Sequence, residues 1–236
     1  MKKFLICLVS CLALLLSFSS AALIKNPLIP NENNPDPGVI FYQGVYYAAT
    51  TNPNSTFKGK FAIHKSYNIQ NWQFVGPVFS PNKLPTWAIS NGAFWAPEIH
   101  IINGKFRVYY TAREKGTNIL CIGVATADNI TGPYVDSGAP LIKNLTVGSI
   151  DPSVMTLDNG KYYLIWKDDG NGNNPKLPTW IWAQELTNDG LNVTGPKTQL
   201  IRNTLAWEGS LVEAPWIIKR GNWYYLFYSG DRKSVV

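Results

Sequence analysis

Three acidic residues stand beside prolines at the heads of similar apolar segments: Asp36 in "NPDPGVI", Asp151 in "SIDPSV" and Glu213 in "VEAPW". Two carboxyl groups facing each other across a sugar ring can hydrolyse a glycosidic bond. One donates a proton to the leaving oxygen, and the other activates water or attacks. A third carboxylate nearby separates their pKa values by like-charge repulsion. A single acid before a proline is more simply explained as a turn.

The setting of these acids recurs four times along the chain, which favours a site over a set of unrelated turns. Each repeat has a proline, an apolar strand, a glycine turn and an aromatic strand, and the turn glycines lie about sixty residues apart. Dipeptides such as Asn-Gly favour hairpins because glycine accepts a positive φ. The repeats begin at Asp36, Ala96, Asp151 and Ala214, and their turn glycines are Gly44, Gly104, Gly160 and Gly221.

Loop-and-strand segments between these hairpins supply further strands. They are "SYNIQNWQFVGPVF", "ADNITGPYVDSGAPLI" and "LTNDGLNVTGPKTQLI". Four antiparallel strands in each repeat of this length are typical of a propeller blade, whereas a β-sandwich would not repeat in this way. The sequence therefore predicts an all-β propeller. Because the first strand of each blade lines the central channel, the three acids are expected to converge at the channel mouth.

Composition excludes several other classes of protein. Of the 236 residues, 45% are hydrophobic, 15% are charged and 13% are aromatic. These values do not suit a disordered tail or a coiled coil, and they suit a rigid β protein that handles an uncharged ring-shaped ligand. The formal charge is +6, but the basic residues are scattered and predict no nucleic-acid-binding patch.

The first 22 residues have the pattern of a secretory signal peptide. A basic start is followed by the apolar run from Phe4 to Phe18 and then by small residues. This run is too short for a membrane anchor, so a secreted, extracellular protein is expected. Cys7 and Cys11 would leave with the signal, and Cys121 is then predicted to be a buried structural thiol.

Several separated motifs resemble glycoside hydrolase family 43 over roughly Asn26 to Gly230. They are "NPDPGVI", "FWAPEIH", "GSIDPSV", "WEGSLVEAPW" and "NWYYLFYSG". The resemblance implies a five-bladed propeller with an inverting mechanism, acting on oligo- or polysaccharides of the arabinan and xylan type. It places the general base on Asp36 and the general acid on Glu213. It gives Asp151 the role of tuning and orienting the proton donor.

Aromatic residues near the channel mouth are expected to bind the sugar. Phe94, Trp95 and Trp207 are predicted to stack on sugar faces, with packing in the core or between blades as an equally weighted alternative. Glu208, which also lies in a family-like motif, is assigned a supporting role in substrate binding.

No cofactor or metal ligand is predicted for this chain. Members of the family often hold a calcium ion in the channel beside a histidine of the last blade, so a structural calcium is an expectation for the complete protein alone. His64 and His100 are expected to be structural. The complete protein is expected to be a monomer.

The family pattern continues to Gly230, which places about four of the five blades in this chain. The domain is thus expected to cover residues 23–230 and to be incomplete at its C-terminus. Reverse translation of residues 231–236 as GAT CGG AAG AGC GTC GTG reproduces a common sequencing-adapter sequence. These six residues are therefore predicted to be adapter read-through.

Two alternatives to a family 43 enzyme remain open. One is a fructan or sucrose hydrolase of the related retaining five-bladed families. Those show Arg-Asp-Pro and Glu-Cys motifs, but Ile150 precedes Asp151 here and Ala214 follows Glu213. The other is a sugar-binding propeller without catalysis, which would not need three carboxylates. Between arabinofuranosidase, endo-arabinanase and β-xylosidase, the long polar loops slightly favour an exo-acting arabinofuranosidase or xylosidase.

Overall fold

The structure is a computed structural model that describes Ile29, residues 33–52 and residues 57–231. The predicted signal peptide and residues 232–236 lie outside the described residues. The described part is all-β, as predicted, and its only helices are two single 3₁₀ turns at Gly170–Gly172 and Ala206–Glu208. None of its helices has the length and apolar character needed to cross a bilayer.

Four antiparallel sheets follow one another along the chain. The first contains β1 (Gly38–Tyr42), β2 (Val45–Thr50), β3 (Lys60–Ser66) and β4 (Gln73–Phe79). The second contains β5 (Phe94–Ile102), β6 (Lys105–Arg113), β7 (Leu120–Ala127) and β8 (Val135–Asp136), and β9 (Ile142–Lys143) also pairs with β7. The third contains β10 (Ser149–Thr156), β11 (Tyr162–Asp168), β12 (Trp180–Leu186) and β13 (Val193–Arg202). The fourth contains β14 (Glu213–Arg220) and β15 (Trp223–Ser229).

The four predicted hairpins are confirmed. In each sheet the first two strands are joined at the expected glycine, which has a positive φ of 81°, 72°, 78° and 57° at Gly44, Gly104, Gly160 and Gly221. A residue with a side chain adopts such a φ only with strain, whereas glycine fits each turn without it. The first and third sheets have the expected four strands, the second has five, and two strands of the fourth lie in the described part of the chain.

The first strands of the four sheets lie side by side. β1 contacts β5, β5 contacts β10, and β10 contacts β14. Between neighbouring sheets the apolar faces pack into separate cores. Tyr110 and Phe61 lie at the centre of the first core, Trp166 belongs to the second, and Ile181 belongs to the third. The cores fix the order of the first strands and therefore the order of their ends.

An irregular corner marks the head of each first strand. The residue before each repeat proline has a positive φ: Asp36 (52°), Ala96 (44°), Asp151 (54°) and Ala214 (52°). In β5, β10 and β14 the ladder register also shifts at this point, between Trp95 and Glu98, between Ile150 and Ser153, and between Glu213 and Trp216. Such a bulge re-aims the side chains beside it. Two consecutive residues at each head can therefore face the same side of the molecule.

Gly38 is a point of close approach between the first sheet and the second. A Cβ at Gly38 would lie 2.4 Å from the carbonyl oxygen of Pro97 and 3.0 Å from the carboxyl carbon of Glu98. The absence of a side chain therefore lets β1 lie against the head of β5.

We expect Gly38→Ala to destabilise the full-length protein by about 1–3 kcal/mol, the usual cost of overpacking a close contact. Urea denaturation followed by tryptophan fluorescence measures the change. The matched control is Gly76→Ala in β4, where an added Cβ meets no atom within 4 Å. Equal stability of the two variants would contradict this account of the sheet contact.

Candidate active site

The four strand heads line one cleft of about 790 Å³. Each head contributes the positive-φ residue and the residue before it: Pro35 with Asp36, Trp95 with Ala96, Ile150 with Asp151, and Glu213 with Ala214. The structure thus brings together all three acids that the sequence singled out. Glu213 stands one position earlier in its repeat than the two aspartates, and the bulge is what allows it to face the same cleft.

Asp36 is held by a hydrogen bond at the end of the second strand of its own sheet. Thr51 Oγ1 donates to Asp36 Oδ2 at 2.7 Å. The same Thr51 oxygen accepts the backbone N–H of Ala96 at 2.9 Å. One threonine therefore fixes the carboxylate of the first sheet and the corner of the second, which aligns two walls of the cleft.

Asp151 lies at the junction of the second, third and fourth sheets. Its backbone N–H donates to Thr111 Oγ1 at 3.2 Å, and its Oδ2 accepts the backbone N–H of Ala214 at 3.0 Å. Burial raises the pKa of Asp151 to about 6, and the nearby Glu213 and Asp36 carboxylates add to the rise. The Ala214 N–H and the Lys167 ammonium act in the opposite direction. A carboxyl with this pKa changes its charge in the mildly acidic range.

Lys167 is a cleft residue that sequence analysis missed. Its ammonium is fully buried and donates to Asp169 Oδ1 and to Glu213 Oε2, each at 3.0 Å. A buried charge is costly unless it is paired, so the two carboxylates compensate this ammonium. The signal for Lys167 was present in "LIWKDDG", where a lysine interrupts an apolar strand just before two acids.

Glu98 is the second residue that was missed, and it adds a fourth carboxyl to the cleft from the second sheet. Burial raises its pKa to about 8, and the charge of Asp151 adds to this rise. His100 Nε2 lies 3.7 Å from Glu98 Oε2, and burial lowers the pKa of His100 to about 4. Both side chains are therefore neutral near pH 7. The second repeat has Ala96 at its head where two others have Asp, and its acid lies two positions later.

The predicted sugar-stacking aromatics have different positions. Trp95 lines the cleft with 37% of its surface exposed. Phe94 is only 4% exposed and belongs to the first core, where its ring stacks on Tyr110. Its prediction as a substrate-binding residue is corrected to a packing role, because consecutive strand residues point to opposite faces. Trp216, which was not predicted, also lines the cleft.

Trp207 and Glu208 lie outside the lining of the cleft. Trp207 is exposed and packs on Tyr228, with 5.4 Å between ring centroids. Glu208 is buried and accepts the backbone N–H groups of Thr204 and Leu205 and the Tyr228 hydroxyl. Burial favours a raised pKa for Glu208, but these hydrogen bonds outweigh it and hold the pKa below its ordinary value. The position of Glu208 supports a structural role rather than the predicted substrate contact.

A metal site is not formed by the residues that the structure describes, among which no group of three or more His, Cys, Asp or Glu side chains is arranged to hold an ion. The titratable side chains among the described residues that line the cleft are carboxyl groups and Lys167. Carboxyls in different surroundings can divide acid and base roles at one pH, which is the requirement for protonating one atom while activating water at another.

The chain is similar to known carbohydrate-active proteins. The sequence profile of glycosyl hydrolases family 43 matches residues 24–234. "Xylosidase/arabinosidase 43B" of Humicola insolens is 29% identical over 210 residues, covering 86% of this chain and 37% of the relative. "Extracellular endo-alpha-(1->5)-L-arabinanase 1" of Bacillus subtilis (strain 168) is 26% identical over 242 residues, covering 98% of this chain and 70% of the relative.

Among solved structures, the crystal structure of a thermostable family-43 glycoside hydrolase superposes with a TM-score of 0.77 at 27% identity. The superposition covers 89% of this chain and 67% of the other chain. The chain therefore spans between 37% and 70% of the length of these three proteins.

The raised pKa of Glu98 predicts a pH-dependent stability that Glu98→Gln should remove. The ordinary pKa is 4.5 and the folded value is about 8, so the folded protein keeps a proton that the unfolded chain releases. Stability is then lost as pH rises through this window. The unfolding free energy of the variant, relative to wild type, should increase by up to about 1.4 kcal/mol per pH unit between these values and then level off.

Urea denaturation at a series of pH values measures this difference. Glu185→Gln is the matched control, since Glu185 is a surface carboxylate paired with Lys161 and its pKa is lowered by that pair. Parallel pH curves for wild type and Glu98→Gln would show that Glu98 carries no such proton.

Proposed function

The chain belongs to glycosyl hydrolases family 43, and on this premise we propose that the full-length protein is a secreted glycosidase of plant cell-wall arabinan or xylan. The observation that carries the proposal is the convergence of Asp36, Asp151 and Glu213 in one cleft. The proposed protein cleaves O-glycosidic bonds with inversion. Its extracellular location is supported by the signal-like first 22 residues and by the word "extracellular" in the name of the Bacillus subtilis relative.

In the proposed mechanism, Asp36 is the general base and Glu213 the general acid. Asp36 removes a proton from water as the water oxygen bonds to the anomeric carbon. The bond from that carbon to the leaving oxygen breaks, and Glu213 gives its proton to this oxygen. Asp151 orients and tunes the donor. Its support is its contact with the corner that follows Glu213, through the hydrogen bond from Ala214 N–H to Oδ2.

The proposed complete fold is a five-bladed propeller that acts as a monomer. Its support is the succession of antiparallel sheets whose first strands lie side by side. In this proposal the four described sheets are successive blades, and the cleft is the mouth of the central channel. A structural calcium ion in the channel of the complete protein stays a prediction.

Features of the cleft support a sugar as the ligand. Trp95 and Trp216 present partly exposed rings, which suit stacking on the apolar faces of sugars. Asn171 Oδ1 is buried at the cleft and has no hydrogen-bond partner within the described part of the chain. A sugar hydroxyl could donate to it. Asn171 and Gly172 come from the loop "GNGNNPKLPTW", which supports the proposal that a long polar loop narrows the cleft for an exo-acting arabinofuranosidase or xylosidase.

Asp36→Asn in the full-length protein should abolish turnover while sugar binding persists. An amide cannot accept the proton from water, and loss of a general base typically costs 10²–10⁴-fold in rate. Steady-state kinetics on aryl arabinofuranosides and xylosides give the rate, and calorimetry with the free sugars gives the affinity. Asp128→Asn is the control, because Asp128 is an exposed partner of Lys105. Wild-type turnover in Asp36→Asn would refute the assigned role.

The first sugar product should have the anomeric configuration opposite to that of the substrate. An inverting enzyme places a water molecule between its two carboxyls, which requires a separation of about 6.5–9.5 Å. Proton NMR during the first minutes of hydrolysis distinguishes the two anomers before mutarotation mixes them. A product that retains the substrate configuration would contradict the inverting mechanism and favour the related retaining families.

A further inference from the structure

The second strands of the first three sheets each place one residue opposite the irregular head of the first strand. Thr51 N–H donates to the carbonyl of Pro35, Thr111 pairs with Trp95, and Lys167 pairs with Ile150. These three residues therefore occupy corresponding positions in the repeat.

The two threonines make the same contact with the following sheet. Thr51 Oγ1 accepts the N–H of Ala96, and Thr111 Oγ1 accepts the N–H of Asp151. In the third sheet this contact is replaced. The N–H of Ala214 donates to Asp151 instead, and Lys167 reaches past it to the carboxylate of Glu213. At this repeat position, a threonine that bridges two sheets is therefore replaced by a lysine whose ammonium binds the proposed proton donor.

The contacts of the Lys167 ammonium have a defined geometry. Lys167 is fully buried, and its ammonium is held from a second side by Asp169 at 3.0 Å. A lysine held between the Asp169 carboxylate and the Glu213 carboxyl group cannot change rotamer freely, so its position fixes Oε2 of Glu213. The other carboxyl oxygen, Oε1, is then left for the leaving group.

We propose that Lys167 is a positioning residue that fixes Glu213 for proton donation and holds a positive charge beside Asp151. The inference rests on the proposed function. The charged and titratable groups around the pair come from every element of the cleft: Asp169 after β11, Asp151 from β10, Asp36 before β1, and Glu98 from β5. Lys167 is the only cation among the described residues that line the cleft.

The test compares Lys167→Met with wild type on two substrates of the same sugar. A phenyl glycoside has a poor leaving group and needs the proton, whereas a dinitrophenyl glycoside has a good one and does not. A misplaced donor should lower kcat on the phenyl glycoside by about 10²-fold and leave the dinitrophenyl glycoside within a few-fold of wild type. Equal losses on both substrates, or no loss on either, would overturn the proposal.

The pH profile supplies a readout that a merely structural residue would not move. Lys167 helps to hold down the pKa of the neighbouring Asp151 carboxyl, so its removal should move the limb of the kcat/KM profile that Asp151 controls to higher pH. Lys167→Arg retains the charge and should keep the limb near its wild-type position. Lys161→Met, which breaks the surface pair with Glu185, is the matched control and should change neither limb nor rate. An unmoved limb in Lys167→Met would overturn the proposal.

A substrate-free measurement separates this inference from the proposed function. The Asp151 carboxyl has a pKa of about 6, and the Lys167 ammonium opposes its rise above the ordinary value. In Lys167→Met, carbon-13 NMR should therefore show the Asp151 carboxyl titrating at higher pH. An unchanged Asp151 titration refutes the electrostatic link whether or not the protein hydrolyses a glycoside. If Lys167→Met does not fold, the double variant Lys167→Met/Asp169→Asn replaces it in all three measurements. The second substitution removes one of the two acidic side chains that Lys167→Met leaves without a cation. Lack of wild-type activity on every aryl glycoside would refute the proposed function alone.

Discussion

The cleft depends on four residues held at positive φ immediately before prolines. A left-handed backbone costs a residue with a side chain about 1–2 kcal/mol, so each corner persists only where the surroundings hold it. Three of the corners are held by the preceding sheet, through the N–H bonds of Ala96 to Thr51, of Asp151 to Thr111, and of Ala214 to the Asp151 carboxylate. The contacts that join neighbouring sheets are therefore the same contacts that shape the cleft.

The positive-φ corners also account for the electrostatics of the cleft. Each corner turns two consecutive residues toward the cleft, which gathers carboxyl groups from non-equivalent repeat positions around one cation, Lys167. Like charges at close range cannot all be ionised without cost. Burial and mutual repulsion therefore raise the pKa of Glu98 to about 8 and that of Asp151 to about 6. Glu98 thus holds a proton in the cleft near neutral pH.

The sequence predicted those parts of the fold and site that local chemistry determines. Glycine turns such as Gly104 define hairpins within a few residues, and the repeat then aligns Asp36, Asp151 and Glu213. The pairing of Lys167 with Glu213 spans 46 residues and joins two sheets, so no local pattern reveals it.

For Phe94, the sequence left stacking on sugar and packing in the core equally weighted. It lies one residue before Trp95, where the register shift of β5 begins, and period-two alternation alone does not say which of two adjacent aromatics faces the core. The core position of Phe94 is set by its packing on Tyr110 in the neighbouring strand, which is a property of the assembled sheet.

The carboxyl of Asp151 has both a structural and an electrostatic role, whereas the carboxylate of Asp36 holds no backbone corner. The Oδ2 atom of Asp151 accepts the N–H at the corner beside Glu213, and the same carboxyl carries the raised pKa. Removing this carboxyl would release the corner as well as the charge, so a loss of rate at Asp151 would mix displacement of the proton donor with loss of its electrostatic control. The corner of the second sheet is held by the Thr51 hydroxyl instead, and the Asp36 carboxylate is free of that task. Lys167 contributes to both the position of the donor and its electrostatic surroundings, because its ammonium binds the Glu213 carboxyl group and opposes the rise in the pKa of Asp151.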